Sequence, residues 1–137
     1  MSNKSRRNFL YRAAALIAAT GLFPSFTPSN MKKREKNIFI HHVYFWLKNP
    51  DSAEDRAKLL EGLENLSAVK SIRSLHIGKP ANTKREVIDS SYAVSWMLTF
   101  KNATDQESYQ VDPIHLDFVK NYSHLWNKVV VYDAIDA

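Results

Sequence analysis

The segment from Tyr109 to Val119 holds the residue types best suited to acid–base chemistry. Asp112 is a favourable N-cap and Pro113 a favourable first helical residue, so we predict that a helix begins here with His115 in its first turn. The positive end of the helix dipole disfavours the imidazolium form, whereas the nearby Asp112 favours it, so the net change in the pKa of His115 stays open. A neutral imidazole at this position can accept a proton as a general base.

The side chain of His115 is predicted to face the interior of the domain. It shares one helix face with Phe118, Val119 and Tyr122, at steps of three, four and seven residues. Tyr109 precedes it by six residues, across the helix break, and can reach the same cavity. The alternative interpretation is a packed histidine whose ring bonds a backbone carbonyl group.

The five histidines form no set typical of a metal site. His41 and His42 are adjacent in a predicted strand, where neighbours point to opposite faces, so they cannot bind one ion together. His42 and His115 would supply only two ligands, which are too few for a zinc site. The chain has no cysteine, which excludes disulfides, thiolate sites and a cysteine nucleophile. We therefore predict no metal and no cofactor, and interpret the tryptophans as core or dimer-interface residues.

Seven helices and strands are predicted around this segment from hydrophobic periodicity and turn residues. In chain order they are a strand over Ile38–Leu47, a helix over Ala53–Leu66, strands over Ile72–Ile77 and Tyr92–Phe100, helices over Asp105–Val111 and from Pro113 to about Trp126, and a strand over Val129–Tyr132. A polar loop, Ala81 to Asp89, separates the second and third strands.

The order of these elements predicts an α+β fold. A βαβ–βααβ arrangement is typical of a ferredoxin-like sandwich, in which helices cover one face of a four-stranded antiparallel sheet. Both faces of the first strand are apolar, because aromatic and β-branched residues fill it throughout. The uncovered face of the sheet therefore predicts a face-to-face homodimer, a dimeric α+β barrel.

Positive charge is concentrated near the N-terminus rather than spread over the predicted domain. Residues 1–30 hold four basic residues and no acidic one, which accounts for +4 of the net charge of +5. Residues 31–36 contribute a further +3, so the rest of the chain is near −2. The domain therefore has no basic face of the kind that binds nucleic acid, and no nucleic-acid partner is predicted.

The first 30 residues resemble a twin-arginine-type signal peptide and linker. The pair Arg6 and Arg7 stands before Phe9 and an apolar run of 11 residues, 13–23, which is too short to span a bilayer. Proline and serine residues then form a turn-prone linker ahead of the domain, which we place at residues 37–136. We predict export to the periplasm, with the membrane contacted only through this leader. If Met31 is the true start, the protein is cytoplasmic.

The domain resembles the Dabb family of stress-responsive dimeric A/B barrel proteins. The resemblance is carried by the first strand from Ile40 to Lys48, the second strand from Ile72 to Gly78, the third strand, the segment Tyr109–Val119 and the segment Trp126–Asp133. The pattern Y-x-x-x-P-x-H-x-x-F-V is its most specific part. The resemblance implies ferredoxin-like subunits that pair through their sheets into a homodimer.

The resemblance also implies roles for individual residues. A polyketide cyclase of the family uses a Tyr and a His in this segment as orienter and base, which match Tyr109 and His115. A first-strand histidine that lines the family's cavity matches His42 better than His41. Ligand-contacting positions are then expected at His42, Tyr44, Trp46 and Trp126.

Two departures from the family pattern affect these expectations. Asp112 stands where the family often has a histidine. Any role of that histidine is therefore lost here, while Asp112 still caps the helix. Tyr44 and Trp46 are bulkier than the aliphatic residues common at their positions, and we expect them to face inward and fill part of the cavity. This bulk argues against cyclase activity.

The sequence supports three functions of different classes. The first is a dimeric protein that binds a small hydrophobic or carbonyl-containing molecule, or serves in stress response, with an acid–base site at His115 and Tyr109. The second is a polyketide-cyclase-like enzyme or another lyase or isomerase. The third, a haem-binding or monooxygenase-type barrel, lacks a clear set of haem ligands.

Overall fold

The part of the chain that the structure describes, residues 32–137 of a computed structural model, holds four strands and three α-helices. Their bounds are β1 Phe39–Leu47, α1 Ala53–Leu66, β2 Ser74–Gly78, β3 Val94–Phe100, α2 Ala103–Val111, α3 Pro113–Tyr122 and β4 Trp126–Ala134. A single 3-10 turn, Ser123–Leu125, joins α3 to β4. The predicted signal peptide and linker, residues 1–30, lie outside the described residues.

The four strands form one antiparallel sheet in the order β2-β3-β1-β4. β1 lies at the centre, where Val43 pairs with Trp96 of β3 on one side and with Val131 of β4 on the other. The predicted ferredoxin-like α+β fold with a four-stranded antiparallel sheet is therefore confirmed. A register shift follows Trp46, because Leu47 pairs with Trp126 and leaves one extra residue in β4.

The core lies between one face of the sheet and the helices. Alternate residues of β1, among them Val43, Phe45 and Leu47, are buried on this face. α1 contributes three buried leucines, Leu59, Leu63 and Leu66. It also approaches α3 closely at Gly62, where an added Cβ atom would lie 2.9 Å from the ring of Tyr122.

The helix starts follow the local sequence. Ser52 caps α1, with its hydroxyl accepting a hydrogen bond from the Asp55 amide at 3.1 Å. The Asp112 carboxylate caps α3 by accepting from the Ile114 amide at 2.8 Å, and Pro113 follows as the first helical residue. α3 therefore begins directly after α2, with Asp112 as the single residue between them.

The end of α3 differs from the prediction. A helix to about Trp126 was expected, but α3 ends at Tyr122 because the chain tightens into the 3-10 turn and Trp126 begins β4. Pairing with β1 also lengthens β4 beyond the predicted 129–132. Within residues 32–137, none of the helices combines the length and the apolar character that crossing a membrane requires.

Candidate active site

A cavity of about 290 Å³ lies between the helix-covered face of the sheet and the helices α2 and α3. Its walls are formed by His41, Val43, Phe45, Leu66, Trp96, Tyr109, Gln110, His115, Phe118, Val119, Ser123, Trp126, Val129 and Val131. Its mouth lies between α3 and β4, where Val119, Val129 and Val131 are each more than 40% exposed. The site is therefore a partly open, largely apolar chamber of the kind that holds small molecules.

The His115 ring is held in one tautomer by the backbone. Its Nδ1 lies 3.1 Å from the Gln110 carbonyl oxygen, and because a carbonyl only accepts, Nδ1 must carry the proton. In the neutral ring Nε2 is then the unprotonated, basic nitrogen. Burial is the largest influence and lowers the pKa of His115 below its usual 6.5, although the hydrogen bond to Gln110 and the charge of Asp112 act the other way.

Tyr109 lies against His115 at the base of the cavity. The two rings are 4.6 Å apart between centroids, and the Tyr109 side chain is 1% exposed. Its hydroxyl accepts a hydrogen bond from Trp96 Nε1 at 3.2 Å, so its own proton can still be donated into the cavity. Burial raises the pKa of Tyr109 to about 12, which keeps the phenol protonated at neutral pH.

A second histidine, His41, completes the polar part of the cavity. Its ring centroid lies 5.8 Å from that of Tyr109, and the residue is 5% exposed. The Nδ1 atom donates a hydrogen bond to the Asp133 carboxylate at 2.6 Å, which leaves Nε2 as the nitrogen available to a bound molecule. Asp133 is thus an orienting residue on β4 for a histidine on β1.

The chemistry of the lining restricts what the cavity can hold. Among the described residues that form its walls, none is a lysine, arginine, aspartate or glutamate. A phosphate or carboxylate would find no cation there to offset the loss of its hydration. The cavity therefore suits a neutral, largely apolar molecule that offers one or two polar atoms to two imidazoles and one phenol.

The structure does not bring all the predicted site residues together. His115, Tyr109 and Trp126 line this cavity, but His42, Tyr44 and Trp46 lie on the opposite face of the sheet. The prediction that His42 and His115 share one cavity is wrong, because side chains alternate along β1 and the helices cover the face of His41.

The expectation that bulky first-strand residues fill the cavity is wrong for the same reason. Tyr44 and Trp46 point away from the helices, and the chamber under α2 and α3 stays open. His41 and Asp133 were not predicted as site residues. A signal for His41 was present in the sequence, since it is the one polar residue in phase with Phe39, Val43 and Phe45.

Within residues 32–137, no three His, Cys, Asp or Glu side chains are grouped closely enough to hold a metal ion. His41 and His115 both line the cavity, but His41 already bonds Asp133 through Nδ1 and His115 bonds Gln110. Each ring therefore has one nitrogen left for a ligand. This arrangement supports proton transfer and hydrogen bonding to a bound molecule.

The strand order and the single layer of helices define a ferredoxin-like protein with a ligand-sized chamber under the helices. The chain belongs to the Dabb family, the stress responsive A/B barrel domain, whose sequence profile matches residues 39–136. No match is found among curated proteins.

Solved structures with the same fold come from several organisms. A Dabb family protein with a ferredoxin-like fold from Mesorhizobium loti is 20% identical, with a TM-score of 0.62 over 73% of this chain and 97% of that one. A dimeric ferredoxin-like protein from Bacteroides fragilis is 16% identical, with a TM-score of 0.59 over 75% and 100%. A hydroxynitrile lyase from Passiflora edulis is 20% identical, with a TM-score of 0.61 over 75% and 96%. At these identities the similarity demonstrates the shared fold.

Proposed function

We propose that this protein binds a small neutral molecule in the cavity under α2 and α3 and performs acid–base chemistry on it. The observation that carries the proposal is that the His115 ring lines the cavity while its Nδ1 bonds the Gln110 carbonyl at 3.1 Å, the bond also expected of a packed histidine. That bond makes Nε2 the basic nitrogen, and burial keeps the ring neutral near pH 7. His115 is accordingly the general base.

Tyr109 and His41 serve as the groups that orient the bound molecule. The Tyr109 phenol, protonated at neutral pH, can donate a hydrogen bond to a hydroxyl or carbonyl oxygen beside His115. His41, fixed by Asp133, offers a second nitrogen beside Tyr109. A phenol donor and two imidazole nitrogens around one apolar chamber suit proton transfer next to a carbonyl group, the chemistry of a lyase or an isomerase.

The similarity to a hydroxynitrile lyase suggests one concrete reaction of this class. His115 Nε2 would accept the proton of the substrate hydroxyl while the oxygen electron pair forms the carbonyl. The bond to the nitrile carbon breaks, and its electron pair leaves with cyanide. Cyanide then takes the proton from His115 and departs as hydrogen cyanide, which returns the base to its starting state.

This reaction can be tested with mandelonitrile as the probe, by following the absorbance of the benzaldehyde released. We expect cleavage faster than the spontaneous rate, and a loss of about 100-fold or more in kcat/KM for His115→Gln. His124→Gln is the matched control, because His124 is exposed in the 3-10 turn and does not line the cavity. A His115→Gln protein as active as wild type would exclude His115 as the base.

We also propose that the protein is a homodimer in which a second copy covers the face of the sheet opposite the helices. That face carries Tyr44, Trp46 and Tyr132, of which Tyr132 is 65% exposed. Related structures of the same fold are dimeric, which supports this arrangement. Sedimentation of the mature domain should give twice the subunit mass, and a monomer at micromolar concentration would contradict the proposal.

The N-terminal segment supports a proposal of export through the twin-arginine route. The order of arginine pair, apolar run and proline-rich linker in residues 1–30 is the basis for it. Replacing both Arg6 and Arg7 with lysine should retain the protein in the cytoplasm. Cell fractionation measures this directly, and normal export of the double variant would refute the twin-arginine assignment.

A further inference from the structure

A further cavity, of about 270 Å³, lies between the N-terminal part of α1 and the adjoining ends of β2 and β3. Its lining residues, which we call the cationic pocket, are Arg56, Leu60, Ile77, Gly78, Lys79, Ala93 and Val94. The pocket shares no lining residue with the acid–base cavity under α2 and α3. It also differs from that cavity in charge, because its walls hold two cations and no acidic residue.

The cationic pocket lies on the helix-covered side of the sheet. Val94 is opposite Phe45 in the β1–β3 pair, and Ile77 is opposite Trp96 in the β2–β3 pair. Residues paired in this way point to the same face, here the face that packs against the helices. The proposed dimer uses the opposite face of the sheet, so a second copy packed there leaves the pocket accessible.

Backbone carbonyl groups hold the guanidinium group of Arg56 at the pocket. Its Nη1 donates a hydrogen bond to the Ala93 carbonyl oxygen at 2.7 Å, and its Nη2 donates to the Pro50 carbonyl oxygen at 3.3 Å. A guanidinium group carries five N–H bonds, so other donors remain after these two are used. The positive charge is therefore held in position before a ligand arrives, which lowers the cost of binding.

No carboxylate offsets this positive charge in the part of the chain that the structure describes. Neither Arg56 nor Lys79 forms an ion pair within residues 32–137. By contrast, the ammonium group of Lys58, two residues further along α1, lies 2.8 Å from the Glu54 carboxylate. Because Arg56 is half-buried, water offsets its charge less fully than on an open surface. A bound anion would supply the missing negative charge.

We propose that the cationic pocket binds a small carboxylate with a short alkyl chain. The carboxylate accepts hydrogen bonds from the remaining N–H groups of Arg56, and opposite charge strengthens such bonds. The ammonium group of Lys79 adds a second positive charge at the same pocket. Leu60, Ile77 and Val94 form an apolar wall, which favours a molecule with a hydrocarbon chain over an inorganic anion.

Hexanoate, hexanamide and acetate form a matched set of probes for this site. Hexanamide has nearly the shape of hexanoate without its charge, and acetate keeps the charge without the longer chain. In a ¹⁵N NMR titration of the folded protein, hexanoate should move the amide signals of Gly78, Lys79 and Ala93 in a saturable way. It should bind about tenfold more tightly than either comparison compound. Equal affinity for hexanoate and one of these compounds, or no saturable shift, would overturn the proposal.

Variants test the two positive charges separately. Lys79→Gln should lower hexanoate affinity about twofold to fivefold, since Lys79 is exposed and solvent screens its charge. Lys120→Gln is the matched control, because Lys120 is exposed on α3 and does not line the pocket. Arg56→Gln, checked for folding by circular dichroism, should abolish the preference for hexanoate over hexanamide. A retained preference, or equal affinities in the two lysine variants, would overturn the assignment.

The acid–base cavity provides an internal control for the same titration. Hexanoate should leave the ring signals of His115 and Tyr109 in place, because their cavity holds no cation for a carboxylate. His115→Gln should bind hexanoate as wild type does, so failure of the acid–base proposal leaves this one intact. Added sodium chloride should weaken the binding of hexanoate more than that of hexanamide. Saturable shifts confined to the acid–base cavity, or binding of hexanoate that salt does not weaken, would overturn the proposal.

Discussion

His41 and His42 are neighbours in β1, yet the two faces of the sheet give them different surroundings. His41 is 5% exposed, lies under the helices and bonds Asp133 at 2.6 Å. His42 is half-buried on the opposite face, where its ring stacks on Tyr44 at 4.3 Å and its Nδ1 lies 3.1 Å from the Tyr44 hydroxyl. One residue step thus separates a histidine of the cavity under the helices from one on an aromatic surface.

This contrast shows how one strand can present two different surfaces. On the helix side, the partners of the polar groups are fixed by the fold: Asp133 for His41, Gln110 for His115 and Trp96 for Tyr109. On the other side, the polar groups are anchored only within their own surface, and the rings remain partly open to solvent. The first arrangement suits acid–base chemistry, and the second suits packing through ring faces.

The largest expected difference between the faces is in stability. Removing the buried His41 ring in His41→Ala leaves a void and loses the Asp133 bond, which should cost about 2–4 kcal/mol in the free energy of unfolding. His42→Ala removes a half-exposed ring and should cost about 1 kcal/mol or less. Urea unfolding at one fixed protein concentration measures both, and equal losses would contradict the assignment of faces.

A smaller effect is expected from two tyrosine hydroxyls. Tyr109→Phe leaves the buried Trp96 Nε1 without its acceptor, a loss of about 1–3 kcal/mol in the free energy of unfolding. Tyr44→Phe removes a hydroxyl that solvent can replace, so the matched loss should be about 0.5 kcal/mol. Thermal unfolding of the two variants beside wild type compares these two losses. A larger loss for Tyr44→Phe than for Tyr109→Phe would show that Tyr44 is the anchored residue.

The pH dependence of stability sharpens the comparison further, because both faces hold a histidine with a lowered pKa. Burial is the main cause for His115 and also for His42, where the nearby His76 and His41 add to it. The unfolded chain binds these protons more readily, so the free energy of unfolding should fall as the pH drops below about 6.5. His115→Gln and His42→Gln should each make this fall smaller. An unchanged fall in one of these variants would show that its histidine does not contribute to the pH dependence of stability.

Much of the fold could be predicted because its signals are local. The cap at Ser52 and the leucine spacing fix α1, whose predicted bounds, Ala53–Leu66, match the observed ones. Strand ends were predicted less well, because they depend on partners elsewhere in the chain. β2 begins at Ser74 rather than Ile72, since the Ile72 amide bonds the Val69 carbonyl instead of a neighbouring strand.

The candidate site was predicted only in part, for a similar reason. His115 and Tyr109 could be found from a cap, a proline and helical spacing within one segment. Alternation showed that His41 and His42 face opposite sides, but both faces of β1 are apolar, so the strand alone does not reveal which side the helices cover. That choice, and the partnership of His41 with Asp133, depends on tertiary pairing across 92 residues.

The tautomer of His115 provides the most direct test of the proposed acid–base site. In protein labelled with ¹⁵N at histidine, NMR shifts distinguish a protonated ring nitrogen from an unprotonated one. We predict a neutral His115 ring at pH 7, with the proton on Nδ1 and none on Nε2, and a pKa below 6.5. A proton on Nε2 instead of Nδ1, or an imidazolium at pH 7, would contradict it.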